Sequence, residues 1–153
     1  MPIRIRRVDI SDSAVRAGID SLISECFKPT DWVGDRHPKA RTGYWWVAFD
    51  RRVPVAFTCL RPSVRWEQTG YLAVAGVLPA WRGKGLQRRL ILKRVAHAKA
   101  LGWHTVLSDT LNDNAPSMRS LIACGFLPYT PQVKWGTELA VYWKRSTEPR
   151  LSA

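Results

Sequence analysis

The sequence predicts an α/β fold, a central sheet of mixed direction with about six to seven strands flanked by helices. Three observations predict it. Segments of strand and helix periodicity follow one another as β, α, β, β, β, α, β, α, β, β. Two of the β-rich segments, 44–49 and 53–60, are separated by Asp50, Arg51 and Arg52, a hairpin spacing that makes the pair antiparallel. A strand–helix–strand unit from Gly70 to Asp109 supplies a parallel pair, at whose carboxyl ends ligands gather in such sheets. The chain's 153 residues, 46 % of them apolar, suit one domain able to bury about two-thirds of its unfolded surface.

Each element has its local reason. Ile3, Ile5 and Val8 alternate with arginines and read as an edge strand ending at Asp9. Ser11 or Asp12 caps a helix whose apolar positions Val15, Ile19, Leu22, Ile23 and Cys26 recur at helical spacing before Pro29. The polar stretch from Thr30 to Thr42, broken by Gly34 and Pro38, reads as a loop. After the hairpin, a small-residue strand runs from Gly70 to Val77, and Pro79 ends it. The segment from Gly85 to Leu101 holds only helix formers, and Gly102 terminates it. A strand over 104–109, a helix from Ala115 to Cys124 stopped by Gly125, and strands over 126–129 and 138–144 complete the order. A short polar tail begins at Ser146.

Composition excludes several classes. No apolar run approaches the roughly 18 residues of a membrane span, and 24 % charged residues with 46 % apolar ones argue against disorder. The alternating N-terminus is not a secretory signal, which makes a cytoplasmic setting the expectation. Cys26, Cys59 and Cys124 are odd in number and lack CxxC spacing, so neither a disulfide framework nor a metal site is expected. Twenty-four basic against 12 acidic residues leave a net charge of +12, which favours anionic partners without naming one.

The most informative stretch runs from Val77 to Arg89, between a strand and a long helix. A helix N-terminus offers free N–H groups and a partial positive charge, and Gly83 and Gly85 remove the Cβ atoms that would hold a phosphate away. Arg82, Lys84, Arg88, Arg89, Lys93 and Arg94 place six cations within thirteen residues with no acid among them. A multiply charged phosphate ligand fits this loop. The P-loop pattern and the dinucleotide fingerprint both fail here, the latter because Arg88 stands where a third glycine or alanine belongs.

This segment resembles the acetyl-CoA-binding signature of the GNAT N-acetyltransferase superfamily, a Gln or Arg, two residues, Gly, one residue, then Gly or Ala. Arg82, Gly83, Lys84, Gly85 and Leu86 fit it, and Gln87 stands at the last position where the family has Gly or Ala. A second stretch, from Asn114 through Ser117 and Leu121 to Gly125 and Phe126, resembles the family's later segment, an Asn opening a helix that closes with Gly-Phe. The element order agrees with that family's fold from Ile3 to Lys144, which implies one GNAT-like domain over 1–145 and a tail over 146–153.

The resemblance implies direct transfer of the acetyl group of acetyl-CoA to an amine. It implies that backbone groups of Ala75, Gly76 and Val77 hydrogen-bond the pantetheine arm and acetyl carbonyl, that the segment Arg82 to Arg88 takes the pyrophosphate, and that Asn114 and Ser117 contact the cofactor arm. An alkyl amine must lose a proton before attacking, and Asp109, five residues before Asn114, is the candidate base, with a strand-ending role as the alternative. Where many members carry a thiolate-protonating tyrosine this chain has Leu121, which leaves Tyr129 as the candidate acid, with a core or surface role for Tyr129 and departure of the thiolate without an acid as the alternatives. Cys124 reads as a small buried side chain. Trp32, Trp45, Trp66 and Trp135 fall in or near segments that could line the acceptor side, with a place in the core as the stronger alternative for most of them. The expected acceptor is a small amine, an amino acid or a protein N-terminus rather than a polycation, and a homodimer is common in the family. The second reading is a basic module on the same scaffold that binds nucleic acid or another polyanion; it is not favoured, because no basic run interleaved with aromatics matches a known nucleic-acid reader.

Overall fold

Asp12 starts the first helix because its carboxylate accepts hydrogen bonds from the backbone N–H groups of Ala14 (2.8 Å) and Val15 (3.2 Å), two donors that a helix start otherwise leaves unmet. In the computed structural model, which describes residues 2–28 and 42–148, this helix α1 spans Ser13–Cys26 and buries Ile19 and Leu22. The chain leaves it at Phe27, already extended, so the helix stops before Pro29 is reached. All but Thr42 of the loop expected over 30–42, Trp32 included, lies outside the described residues.

The other elements are β1 Arg4–Val8, β2 Tyr44–Asp50, β3 Val53–Pro62, β4 Thr69–Val77, α2 Leu86–Ala100, β5 Thr105–Leu111, α3 Ala115–Ala123, β6 Leu127–Tyr129 and β7 Ala140–Ser146. This is the order the sequence predicts, with a 3-10 turn at Pro79–Trp81 added. The seven strands form one mixed sheet in the order β1-β2-β3-β4-β5-β7-β6. The last strand begins at Ala140 and runs to Ser146, two residues later than its periodicity suggests, and Thr147 beyond it is buried, its Oγ1 donating to the Trp103 carbonyl at 2.9 Å.

Two compact units divide the chain, one of residues Met1–Arg61 and Ala73–Leu90, the other of Pro62–Leu72 and Ile91–Ala153. In the first, β2 and β3 pair antiparallel from Tyr44↔Leu60 to Asp50↔Val53 and are buried along most of their length, as central strands must be. One face carries Trp45, Val47, Phe57 and Cys59 against Ile19 and Leu22 of α1; Ala48, Val55, Ala56 and Val77 gather with Leu86 and Leu90 of α2. Burying side chains of this size stabilises by about 1.5–3 kcal/mol each before entropy is counted. In the second unit β5 pairs antiparallel with β7 from Thr105↔Ser146 to Leu111↔Ala140, and β7 pairs with the short β6.

The parallel ladder between β4 and β5 comprises Thr69↔Thr105, Gly70↔Val106 and Tyr71↔Leu107. Strand β4 continues to Val77 and β5 to Leu111 beyond those pairs.

Candidate functional site

The phosphate-type loop takes its shape from bonds on both sides of its glycines. Leu78 N–H donates to the Val55 carbonyl at 2.9 Å, and the 3-10 turn that follows is pinned by the Trp81 indole, which donates to Asp50 Oδ2 at 3.3 Å. Arg82 folds its Nε back onto the Val77 carbonyl at 2.9 Å. Gly83 and Gly85 then take φ of +75° and +80°, a left-handed backbone that other L-residues adopt only at a cost. No atom lies within 4 Å of where a Cβ would stand on either glycine, so neither is required by packing of the chain on itself. Leu86, buried, anchors the start of α2, whose first turn contains no acid.

This cradle fits a diphosphate: the backbone N–H groups of a helix start, the helix dipole, and exposed Lys84 and Arg88 beside them. The six cations expected of the stretch are not equivalent. Arg82 is committed to Val77, Arg89 donates to the Ile3 carbonyl at 2.9 Å, and Arg94 is 2 % exposed inside the fold. Gln87 is half-buried in the first turn of α2.

Of the β4 residues, Gly76 has a packing reason for lacking a side chain, since a Cβ there would stand 2.6 Å from Phe57 Cε1 and 3.0 Å from Phe27 Cε2. Ala75 is half-buried and Val77 buried.

In the second unit, Asp109 sits inside a cluster of aromatic side chains. The Tyr71 hydroxyl donates to Asp109 Oδ1, and the Trp135 indole Nε1 donates to the same oxygen at 3.3 Å. Trp135 in turn meets three rings edge to face: Tyr142 at 4.5 Å between centroids, Trp66 at 5.8 Å and Tyr71 at 6.2 Å. Tyr142 is directly opposite Asp109 in the β5–β7 ladder, and its hydroxyl accepts the Gly136 N–H at 2.8 Å. The 130–139 loop is thus fastened to this sheet face through Trp135 and Gly136.

Tyr129 is opposite Tyr142 in the β6–β7 ladder, so Asp109, Tyr142 and Tyr129 share one face with Tyr142 in the middle. Asp109 and Tyr129 are therefore two strand spacings apart, about 10 Å, and do not bond to one another. Tyr129 lines a cavity of about 650 Å³ with Lys134, Glu138 and Tyr142. Burial, and secondarily the charge of Tyr142, pushes the Tyr129 phenol above its ordinary value. Lys144 Nζ lies 4.9 Å from the centre of its ring.

Asn114 caps α3, its Oδ1 accepting the Ser117 N–H at 3.3 Å, and Leu121 is buried on that helix. Glu67, Asp113 and His104 are exposed. Cys124 is buried, as its small apolar character suggests, and burial pushes the half-buried Cys26 thiol up despite Arg82, which keeps it from being a ready nucleophile. Trp45 does not line a site: it is 1 % exposed and stacked on Phe57 at 6.5 Å, because alternation in β2 turns it toward α1. Among the described residues, no group of three or more His, Cys, Asp or Glu side chains could hold a metal ion, and no helix is long and apolar enough to cross a membrane.

Sequence reasoning missed Tyr71 and Tyr142. The signal was available in part, because Tyr71 interrupts an otherwise small and aliphatic strand, but its meeting with Asp109 depends on a parallel register that no local pattern specifies.

Comparison with known proteins places these features in one context. The sequence model of the Acetyltransferase (GNAT) family matches residues 16–126. A mycothiol acetyltransferase from Frankia casuarinae is 28 % identical over 119 residues, which is 78 % of this chain and 32 % of that protein. The chain therefore spans about a third of the length of this curated relative. A Bacillus subtilis acetyltransferase solved in complex with CoA superposes with a TM-score of 0.69 at 18 % identity, covering 95 % of this chain and 99 % of the other. The ribosomal-protein-S18-alanine N-acetyltransferase of Escherichia coli gives 0.71 at 14 %, covering 97 % and 96 %. At these identities the two structures show the shared fold.

Proposed function

The chain belongs to the Acetyltransferase (GNAT) family, and on that premise we propose that it transfers the acetyl group of acetyl-CoA directly to an amine acceptor. The observation that carries this reading is the cradle of Gly83 and Gly85 at the acid-free start of α2, with Lys84 and Arg88 exposed beside it. Acetyl-CoA supplies an acyl group activated as a thioester. The N–H groups of residues 83–88 would hold its pyrophosphate. Ala75, Gly76 and Val77 would offer backbone groups to its arm, and Asn114 and Ser117 would supply polar contacts at the start of α3.

Asp109 is the general base in this reading. Two donors fall on its Oδ1 and fix the plane of the carboxylate, which orients it to take a proton from the acceptor's ammonium group. Tyr129, whose phenol holds its proton beyond the ordinary range, would return a proton to the departing thiolate. The cavity of about 650 Å³ beside Tyr129 has the size of a small-molecule site, which supports a small amine, an amino acid or a peptide N-terminus as the acceptor.

Calorimetric titration of the protein with acetyl-CoA, with an unrelated dinucleotide as control, tests the cofactor assignment. Specific binding that Gly85→Glu abolishes in a folded sample is expected; equal affinity in that variant would sink the proposal. A positively φ-turned backbone with a bulky acid placed in the cradle should exclude the phosphates on steric and electrostatic grounds together.

A further inference from the structure

A second group of cations lies away from the loop of Gly83 and Gly85. Arg4 and Arg6 are two residues apart on β1 and therefore project from one face of the outermost strand. Arg51 and Arg52 form the β2–β3 turn, and Phe49, half-buried, is opposite Arg4 in the β1–β2 ladder. These four arginines, with Pro2 and Phe49, line a cavity of about 580 Å³. All four are exposed, and no described residue accepts a hydrogen bond or ion pair from their side chains. Asp50, the neighbouring acid, has Oδ2 engaged by the Trp81 indole.

Two features set this group apart from a merely solvated surface. Four like charges line one concavity, where their repulsion is screened less than on an open face. Arg51 also holds φ of +59°, the left-handed region in which Gly, Asn or Asp is the less strained choice for a hairpin turn.

We propose that Arg4, Arg6, Arg51 and Arg52 form a binding site for a small ligand carrying two or more linked phosphoryl groups. Guanidinium groups match phosphoryl oxygens through paired N–H donors, and four of them balance a charge that one phosphate does not carry. The concavity and its volume suit a small molecule rather than a flat lipid surface. Phe49 adds an aromatic ring to the lining, so the phosphoryl groups could come from a nucleotide whose base stacks there or from a free polyphosphate.

Isothermal titration of the full chain with inorganic tripolyphosphate tests the site. Binding that Arg4→Gln and Arg51→Asn each weaken about tenfold, and that Lys99→Gln at the far end of α2 leaves unchanged, is the expected result. Asn accepts a left-handed backbone, so Arg51→Asn should melt no lower than the parent, which separates lost binding from lost folding. No binding by the parent protein, or binding that Lys84→Gln abolishes while Arg4→Gln and Arg51→Asn leave it intact, would overturn the proposal. A parallel titration with ATP distinguishes the sources: tighter binding than tripolyphosphate assigns a nucleotide with its base on Phe49, equal binding a free polyphosphate.

Discussion

Asp109 and its two donors make the sharpest prediction at the scale of single residues. If Asp109 is the proposed base, Asp109→Asn keeps the shape of the side chain and removes its ability to take a proton, so turnover should fall by about 10²–10⁴-fold while acetyl-CoA binding measured by calorimetry stays unchanged. Unaltered turnover would mean that the acceptor arrives already neutral. Gly76→Ala is expected to act through packing. Its Cβ would stand 2.6 Å from Phe57 Cε1, inside the core of the first unit, and overpacking of that kind costs about 1–3 kcal/mol in urea denaturation. Tyr129 links pH to stability in one direction. Its phenol is raised from 10.0, mainly by burial, so the folded state disfavours the phenolate; stability is kept below pH 10 and falls as the pH climbs through the raised value. Tyr129→Phe should flatten that alkaline fall in a series of denaturation curves.

Among elements, α1 depends on one cap. Asp12→Ala removes the acceptor of two N–H groups and should lower stability by about 1 kcal/mol, read from the urea midpoint at constant slope. The cap, the hairpin and both helix-ending glycines at 102 and 125 could be read in the sequence, because each is decided within a few residues by hydrogen bonding or by φ, and both glycines do take left-handed φ. The start of β7 could not: Glu138 and Leu139 look strand-like, but pairing begins only at Ala140, where Leu111 on β5 supplies the partner. The same limit applies to the candidate site. The left-handed turns at Gly83 and Gly85 and the cap at Asn114 were legible, because each is decided within a few residues. Of the aromatic surroundings of Asp109, only Trp66 and Trp135 stand out in the sequence; Tyr71 and Tyr142 join them from β4 and β7. Trp45 is core, the stronger of the two roles its sequence leaves open, because alternation in β2 turns it inward.

For the molecule as a whole, the net charge of +12 bears on cofactor binding more than on fold. Acetyl-CoA affinity should weaken as salt rises from low to physiological concentration, because in the proposed site exposed Lys84 and Arg88 would face the cofactor through solvent that salt screens. Among the described residues, the sheet order ends at β1 on one side and β6 on the other. An open strand margin is a template on which another chain can add itself, and continued addition ends in insoluble fibre. Here β6 is three residues long with Pro128 at its centre, which can donate no N–H to an incoming strand. Strand β1 is five residues long and reads Arg4, Ile5, Arg6, Arg7, Val8, so a copy laid alongside would bring arginines against arginines. The charges at Arg4 and Arg6 thus help to keep concentrated protein in solution, whatever ligand they meet.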